Sequence, residues 1–166
     1  MAGKTLNRTQ NMASKKLGIK KNIDIRNRRA SFEYLLIDKY QAGIVLKGTE
    51  IKSVRMGKVN LKDAFCLFIG KELWVRDMHI SPYLSGGHSN HAAKTDRKLL
   101  LSRKELDKLQ IKSQDVGLTI IPTRMYVNDR GFAKVEIALA KGKKLFDKRQ
   151  SIKEKDLKRE VSKIHR

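Results

Sequence analysis

The chain has 166 residues, and 38 Lys and Arg against 17 Asp and Glu give it a formal charge of +21 at pH 7. That length fits one compact domain, and so large a positive excess points to a polyanionic partner. A single cysteine, Cys66, excludes an internal disulfide framework and a four-thiolate zinc site, and no apolar stretch approaches the roughly 20 residues of a membrane-spanning helix, so the sequence reads as cytoplasmic, neither secreted nor transmembrane.

The charge is concentrated at the ends. Residues 1–29 carry +8, residues 30–140 carry +6 and residues 141–166 carry +7. This partition divides the chain into a basic N-terminal arm, 1–26, a body, 27–141, and a basic C-terminal tail, 142–166. The arm has little hydrophobic periodicity, and disorder in the free protein is expected of it.

The body reads mainly as strands. Ser31 to Asp38 and Gly43 to Val54 are β-rich runs, and Ala64 to Ile69 with Glu72 to Ile80 form a hairpin around Gly70-Lys71. Ser102-Arg103-Lys104-Glu105 is a capping box opening a helix along Leu106, Leu109, Ser113 and Val116 to Gly117. Leu118 to Val127, the Asn128-Asp129-Arg130-Gly131 turn and Phe132 to Ala140 form a second hairpin. In its last strand Ala133, Val135, Ile137 and Leu139 alternate with Phe132, Lys134 and Glu136, as in a sheet wet on one face. The fold expected is mainly β with flanking helices, a small OB-like barrel, because closure removes the edges that so many short strands would expose.

The tail leaves the last strand with Gly142 as a hinge. Gln150 to Arg166 contains no Gly or Pro, and Ile152, Leu157, Val161 and Ile164 approximate an apolar stripe. The dense positive charge around that narrow stripe predicts a segment disordered when free and helical when bound to RNA.

Catalytic motifs are missing. There is no Gly-x-Ser-x-Gly elbow, no Gly-x-x-x-x-Gly-Lys phosphate loop and no Gly-x-Gly-x-x-Gly. His88 and His91 fall in a polar loop without Cys or acidic partners, and Cys66 lies in an apolar strand, so neither a metal site, a cofactor nor an enzyme is expected. Arg130 to Ile137 looks like the base-stacking RNP1 signature, but Lys134 and Ile137 stand where two aromatics belong. With 6% aromatic residues, the composition favours structured RNA recognised by shape and phosphate contact.

Several segments together resemble the SmpB family, the SsrA-binding proteins of bacterial trans-translation. They are Asn27-Arg28-Arg29-Ala30, Ala42-Gly43-Ile44, Gly48 to Arg55, His79-Ile80-Ser81-Pro82-Tyr83, Arg97-Lys98-Leu99-Leu100-Leu101 and Gly142 to Arg149. The resemblance implies an OB-type barrel that binds the tRNA-like domain of tmRNA and accompanies it into stalled ribosomes, while the tail enters the empty mRNA channel near the small-subunit decoding centre and becomes helical. It also implies action beside elongation factor Tu and alanyl-tRNA synthetase, as a monomer without a cofactor. By position, the tmRNA-facing residues would be Asn27, Arg28, Arg29, Tyr34, Gln41, Glu50, Lys52, Arg55, Arg97, Lys98, Leu100 and Ser102. Glu50 would meet a ribose hydroxyl or base donor, or orient a neighbouring Arg. In the tail, Lys143, Lys144, Phe146, Asp147, Lys148 and Arg149 would act at the decoding centre. The chain departs from the family pattern at Gln41, usually Glu, at Phe146, usually Tyr or His, at Ser31 and Phe32, and at Ala92, Ala93 and Thr95. A ribosomal or ribosome-assembly protein binding ribosomal RNA is the alternative reading.

Overall fold

Nine strands and three helices arrange residues 23–87 and 90–144 around a main apolar core, with a small second cluster of Ala30, Ile121 and Ala140. The computed structural model describes residues 23–87 and 90–144, with tail positions 147, 149, 152, 153, 156, 157, 160 and 161. The elements are β1 (Asp24–Arg26), α1 (Arg28–Glu33), β2 (Tyr34–Ile44), α2 (Gly48–Arg55), β3 (Val59–Asn60), β4 (Phe65–Ile69), β5 (Glu72–Arg76), β6 (His79–Ile80), β7 (Arg97–Leu100), α3 (Arg103–Ser113), β8 (Leu118–Val127) and β9 (Ala133–Gly142).

Strands β8, β4, β5, β7, β2 and β9 pair in that order, and β9 pairs back onto β8, so six antiparallel strands close a barrel. Closure gives each of these six strands a partner on both sides. The seam between β4 and β8 is narrow, with Cys66 opposite Ile120. β1 adds to the outside of β8, and β3 with β6 makes a separate ribbon. The period-2 pattern read in β9 holds from Ala133 to Ile137, after which Ala138, Leu139 and Ala140 are all buried; Val135, Ile137 and Leu139 pack with Leu73, Val75, Leu99 and Met125, and α3 adds Leu109 to the same core. Burial in this core pushes the Cys66 thiol far up, which leaves it a protonated, unreactive hydrophobe.

Several expected boundaries move. Asp24–Arg26, assigned to the arm, is a strand of the body, while residues 1–22 lie outside the described residues. The first β-rich run begins as helix, because the buried Asn27 side chain caps α1 by accepting from the Ala30 N–H at 3.2 Å. The second run, Gly43 to Val54, breaks after Ile44 into α2. The cause is Glu50, whose carboxylate accepts from the Lys47 N–H at 2.7 Å, one half of a capping box. The strand expected to reach Ile80 stops at Arg76, since Asp77 takes a left-handed φ of 57° and turns the chain into β6. Phe132 precedes β9 and is exposed. The capping box at Ser102 and Glu105 forms as read.

One buried ion pair ties α2 to β7. Glu50 and Arg97 are each 3% exposed, and Arg97 Nε donates to Glu50 Oε1 at 2.8 Å. The remaining guanidinium nitrogens donate to the carbonyls of Met78 at 2.6 Å, Thr95 at 3.0 Å and Ala93 at 3.3 Å. His91, expected in a polar surface loop, is buried beside this network. Its Nε2 donates to the Ile80 carbonyl at 3.2 Å, and its Nδ1 is hydrogen-bonded to the Thr49 hydroxyl at 2.9 Å. Residues 91–95 are thus strapped down through the His91 ring and the backbone carbonyls of Ala93 and Thr95. Ala93 and Thr95 serve through those carbonyls, so their departure from the family pattern leaves the straps intact.

Removing one partner of a buried pair strands the other charge. Glu50→Ala is expected to destabilise the fold by about 3–5 kcal/mol and to lower the melting temperature by roughly 10 °C or more. Thermal unfolding followed by circular dichroism checks this; an unchanged melting temperature would remove the pair from its structural role.

Candidate nucleic-acid interface

Because Val135 and Ile137 of β9 point inward, Lys134 and Glu136 point outward. The strand registers extend each of them into a row. Lys134 stands opposite Tyr126 of β8 on one side and Gly43 of β2 on the other, and Gly43 stands opposite Leu100 of β7. One residue pair along, Arg26, Arg124, Glu136 and Gln41 form the parallel row across β1, β8, β9 and β2. Lys39 follows Gln41 on the same exposed side of β2.

Acidic residues hold these cations in fixed places. Asp24 accepts from Arg124 at 2.6 Å and from Arg26 at 3.3 Å, and the Arg124 hydrogen bond holds its carboxyl below the usual carboxylate range. The Arg124 guanidinium also lies 4.9 Å from the centre of the Tyr126 ring, a cation–π contact that orients it. Glu136 sits 3.4 Å from Lys39 and accepts from the Thr123 hydroxyl at 2.9 Å. Arg26, Arg28, Lys39 and Arg124 line one groove of about 570 Å³, with Glu136 as its one acidic wall.

Gly43 gives the face its floor. A Cβ at Gly43 would stand 3.3 Å from the Leu100 Cβ, so the absent side chain lets Leu100, 51% exposed, lie against β2. The result is a shallow surface of Gly, Leu and Tyr flanked by cations. Such a surface suits a structured RNA, with Arg and Lys on phosphates and the apolar floor against ribose.

The residues singled out from sequence divide into two groups. Gln41 and Leu100 belong to this face, and Arg28 lines its groove. Lys98, beside Leu100 on β7, pairs with Glu72. On α2, Lys52 lies 5.2 Å from the Tyr83 ring centre, and Arg55 donates to the Gly131 carbonyl at 3.3 Å, joining the helix to the β8–β9 turn. The second group is occupied by the fold itself. Asn27 is buried and donates to the carbonyls of Leu61 at 2.7 Å and Pro122 at 3.0 Å. Glu50 and Arg97 neutralise each other inside the body, so of the roles expected for Glu50 the structure realises the orienting of an Arg. Arg29 is held by Glu33 at 2.6 Å and Asp63 at 2.9 Å, Tyr34 packs on the Ala30, Ile121 and Ala140 cluster, and Ser102 caps α3. Arg26, Lys39, Arg124, Tyr126 and Lys134 were not singled out. Their signal is the outward half of the strand alternation, which identifies a wet face without saying which strands share it.

In the tail, the Lys144 N–H donates to the Asp147 carboxylate at 3.3 Å, which gives that acid a capping role among cations. The described positions from 147 to 161 are helical and exposed, including Ile152, Leu157 and Val161. Phe146 and Lys148 lie outside the described residues, as does His88. Among the described residues no three His, Cys, Asp or Glu side chains gather as a metal site.

If the outer face carries RNA, Lys134→Ala is expected to weaken binding about tenfold and to lower the slope of log affinity against log salt by about 1, with the melting temperature unchanged. Fluorescence anisotropy across a salt series measures both. An unaltered slope would place Lys134 off the phosphate backbone.

The family model described as SmpB protein matches residues 24–166. The SsrA-binding protein of Bacteroides thetaiotaomicron is 54% identical over 143 residues, spanning 86% of this chain and 95% of that relative. The SsrA-binding protein of Cytophaga hutchinsonii is 56% identical over 146 residues, 88% of this chain and 95% of its own length. A solved structure described as "tmRNA-SmpB: a journey to the center of the bacterial ribosome" aligns with a TM-score of 0.64 at 44% identity, covering 74% of this chain and 86% of that one. The family model runs from β1 to the end of the tail, and the relatives match over most of the chain; the chain belongs to the SmpB family of SsrA-binding proteins.

Proposed function

We propose that this protein is the RNA-binding adaptor of trans-translation, which binds the tRNA-like domain of tmRNA and delivers it to ribosomes stalled without a usable message. The observation that carries this reading is the paired rows on the outer sheet, where cations fixed by Asp24 and Glu136 border the Gly43–Leu100 floor. Family membership supports it over residues 24–166. A ribosomal or assembly protein would share a basic barrel, but the family match favours the adaptor.

The body, residues 27–141 with β1 added, holds the RNA. The tail, residues 142–166, enters the empty mRNA channel and is held there as a helix, its Lys144, Lys148 and Arg149 meeting ribosomal phosphates and Phe146 stacking on a base. Of the residues singled out from sequence, Arg28, Gln41, Lys52, Arg55, Lys98 and Leu100 touch tmRNA directly in this reading. Asn27, Glu50, Arg97 and Ser102 support the surface from within. Binding and positioning are the whole task, so the protein acts without catalysis, as a cytoplasmic monomer beside elongation factor Tu and alanyl-tRNA synthetase. No helix among the described residues is long and apolar enough to cross a membrane.

A competition titration at near-physiological salt tests the reading. Set against a ribosomal RNA fragment and an ordinary tRNA of similar length, the tRNA-like domain is expected to win clearly, because the phosphate term is shared and the remainder comes from shape. Equal binding to all three would favour the ribosomal alternative. The double substitution Lys148→Glu with Arg149→Glu is expected to leave tmRNA affinity nearly intact and abolish tagging on stalled ribosomes; a large loss of affinity would move the tail into the RNA-binding face.

A further inference from the structure

The residue after the last strand is fastened to the body. β9 ends at Gly142, and the Lys143 N–H then donates to the Glu33 carbonyl at 2.9 Å. The Lys143 ammonium donates to the Ser31 carbonyl at 3.2 Å. Both acceptors lie in the last turn of α1, a six-residue helix. The final carbonyls of any helix lack partners within it, and they form the negative end of its dipole. One lysine therefore supplies both a donor pair and the charge that this helix end calls for.

The next residue starts the tail. The Lys144 N–H donates to Asp147, so the clip to the body and the cap of the tail helix occupy adjacent positions. At its other end α1 is pinned by the buried Asn27, which bonds to Leu61 and Pro122 on two separate segments. α1 also presents Arg28 to the basic groove. A single short helix thus holds the root of the tail at one end and borders the RNA face along its length. The swivel expected at Gly142 is closed off by the clip.

We propose that Lys143 is a positioning residue: by clipping to the α1 carbonyls of Ser31 and Glu33 it fixes the direction in which the tail leaves the body, relative to the RNA-binding face. This rests on the adaptor reading for its purpose, since a tail already aimed loses less conformational freedom when it enters a channel. The geometry itself is independent of that reading.

The test uses the full chain with spin labels on cysteines introduced at Lys71, in the exposed β4–β5 turn, and at Glu160, on the tail. Pulsed electron–electron resonance reads the distance distribution between them. Lys143→Pro removes both donors and is expected to broaden that distribution to about twice its width, the behaviour of a flexible junction. Lys143→Ala, which keeps the N–H, should broaden it less, and Lys143→Arg should restore the narrow form. Melting temperature and affinity for the tRNA-like domain serve as controls and should not move, whereas tagging by Lys143→Pro should fall about tenfold. Identical distributions for the unsubstituted protein and Lys143→Pro would overturn the proposal. Absence of tagging by the unsubstituted protein would instead overturn the adaptor reading, leaving the distances to decide the clip.

Discussion

The Glu50–Arg97 pair is the constraint on which the rest of the body depends. Burying two charges costs several kcal/mol per ion unless every donor and acceptor is met, and here the guanidinium meets one carboxylate and three backbone carbonyls. Those carbonyls come from the ends of the loop between β5 and β7, so the pair fixes α2, the start of β7 and the intervening chain together. Through α2 the constraint reaches the functional face: Arg55 donates to Gly131 in the β8–β9 turn, next to the strand ends that carry Tyr126 and Lys134.

A net charge of +21 explains attraction to RNA but not where RNA would sit. The arrangement of the few acids does that. Asp24 gathers Arg26 and Arg124 into one place, and Glu136 restrains Lys39, so flexible cations become a fixed pattern. Elsewhere acids cancel cations locally, as Asp96 does for Arg76 and Asp38 for Lys112. In the tail Asp147 does a third kind of work, starting a helix. These carboxylates therefore have location-specific roles in a strongly basic chain.

The second hairpin and α3 were legible because their signals are local: a period of two over the first half of β9, an Asn-Asp-Arg-Gly turn, and Ser102 three residues before Glu105. α2 was not, because Thr49, Ile51 and Val54 favour a strand by propensity, and the cap that decides for helix joins Glu50 to a backbone amide. The same limit applied to the site. Gly43, Leu100 and Lys134 are far apart in the chain and become neighbours through strand registers, which no single segment encodes. Glu50 and Arg97 carried the family resemblance yet face inward, since a motif reveals that a residue matters and burial determines how. Asn27 followed the same course, its amide divided between Leu61 and Pro122.

In the adaptor reading, the outer face of β1, β8, β9, β2 and β7 holds the RNA. Backbone amide chemical shifts of the full chain, recorded as the tRNA-like domain of tmRNA is added, test it most directly. The largest changes are expected on Arg26, Gly43, Leu100, Arg124, Tyr126 and Lys134, while Leu109 and Gln110 of α3 stay still. Changes centred on α3, or spread over every exposed Lys and Arg without regard to the sheet, would contradict it.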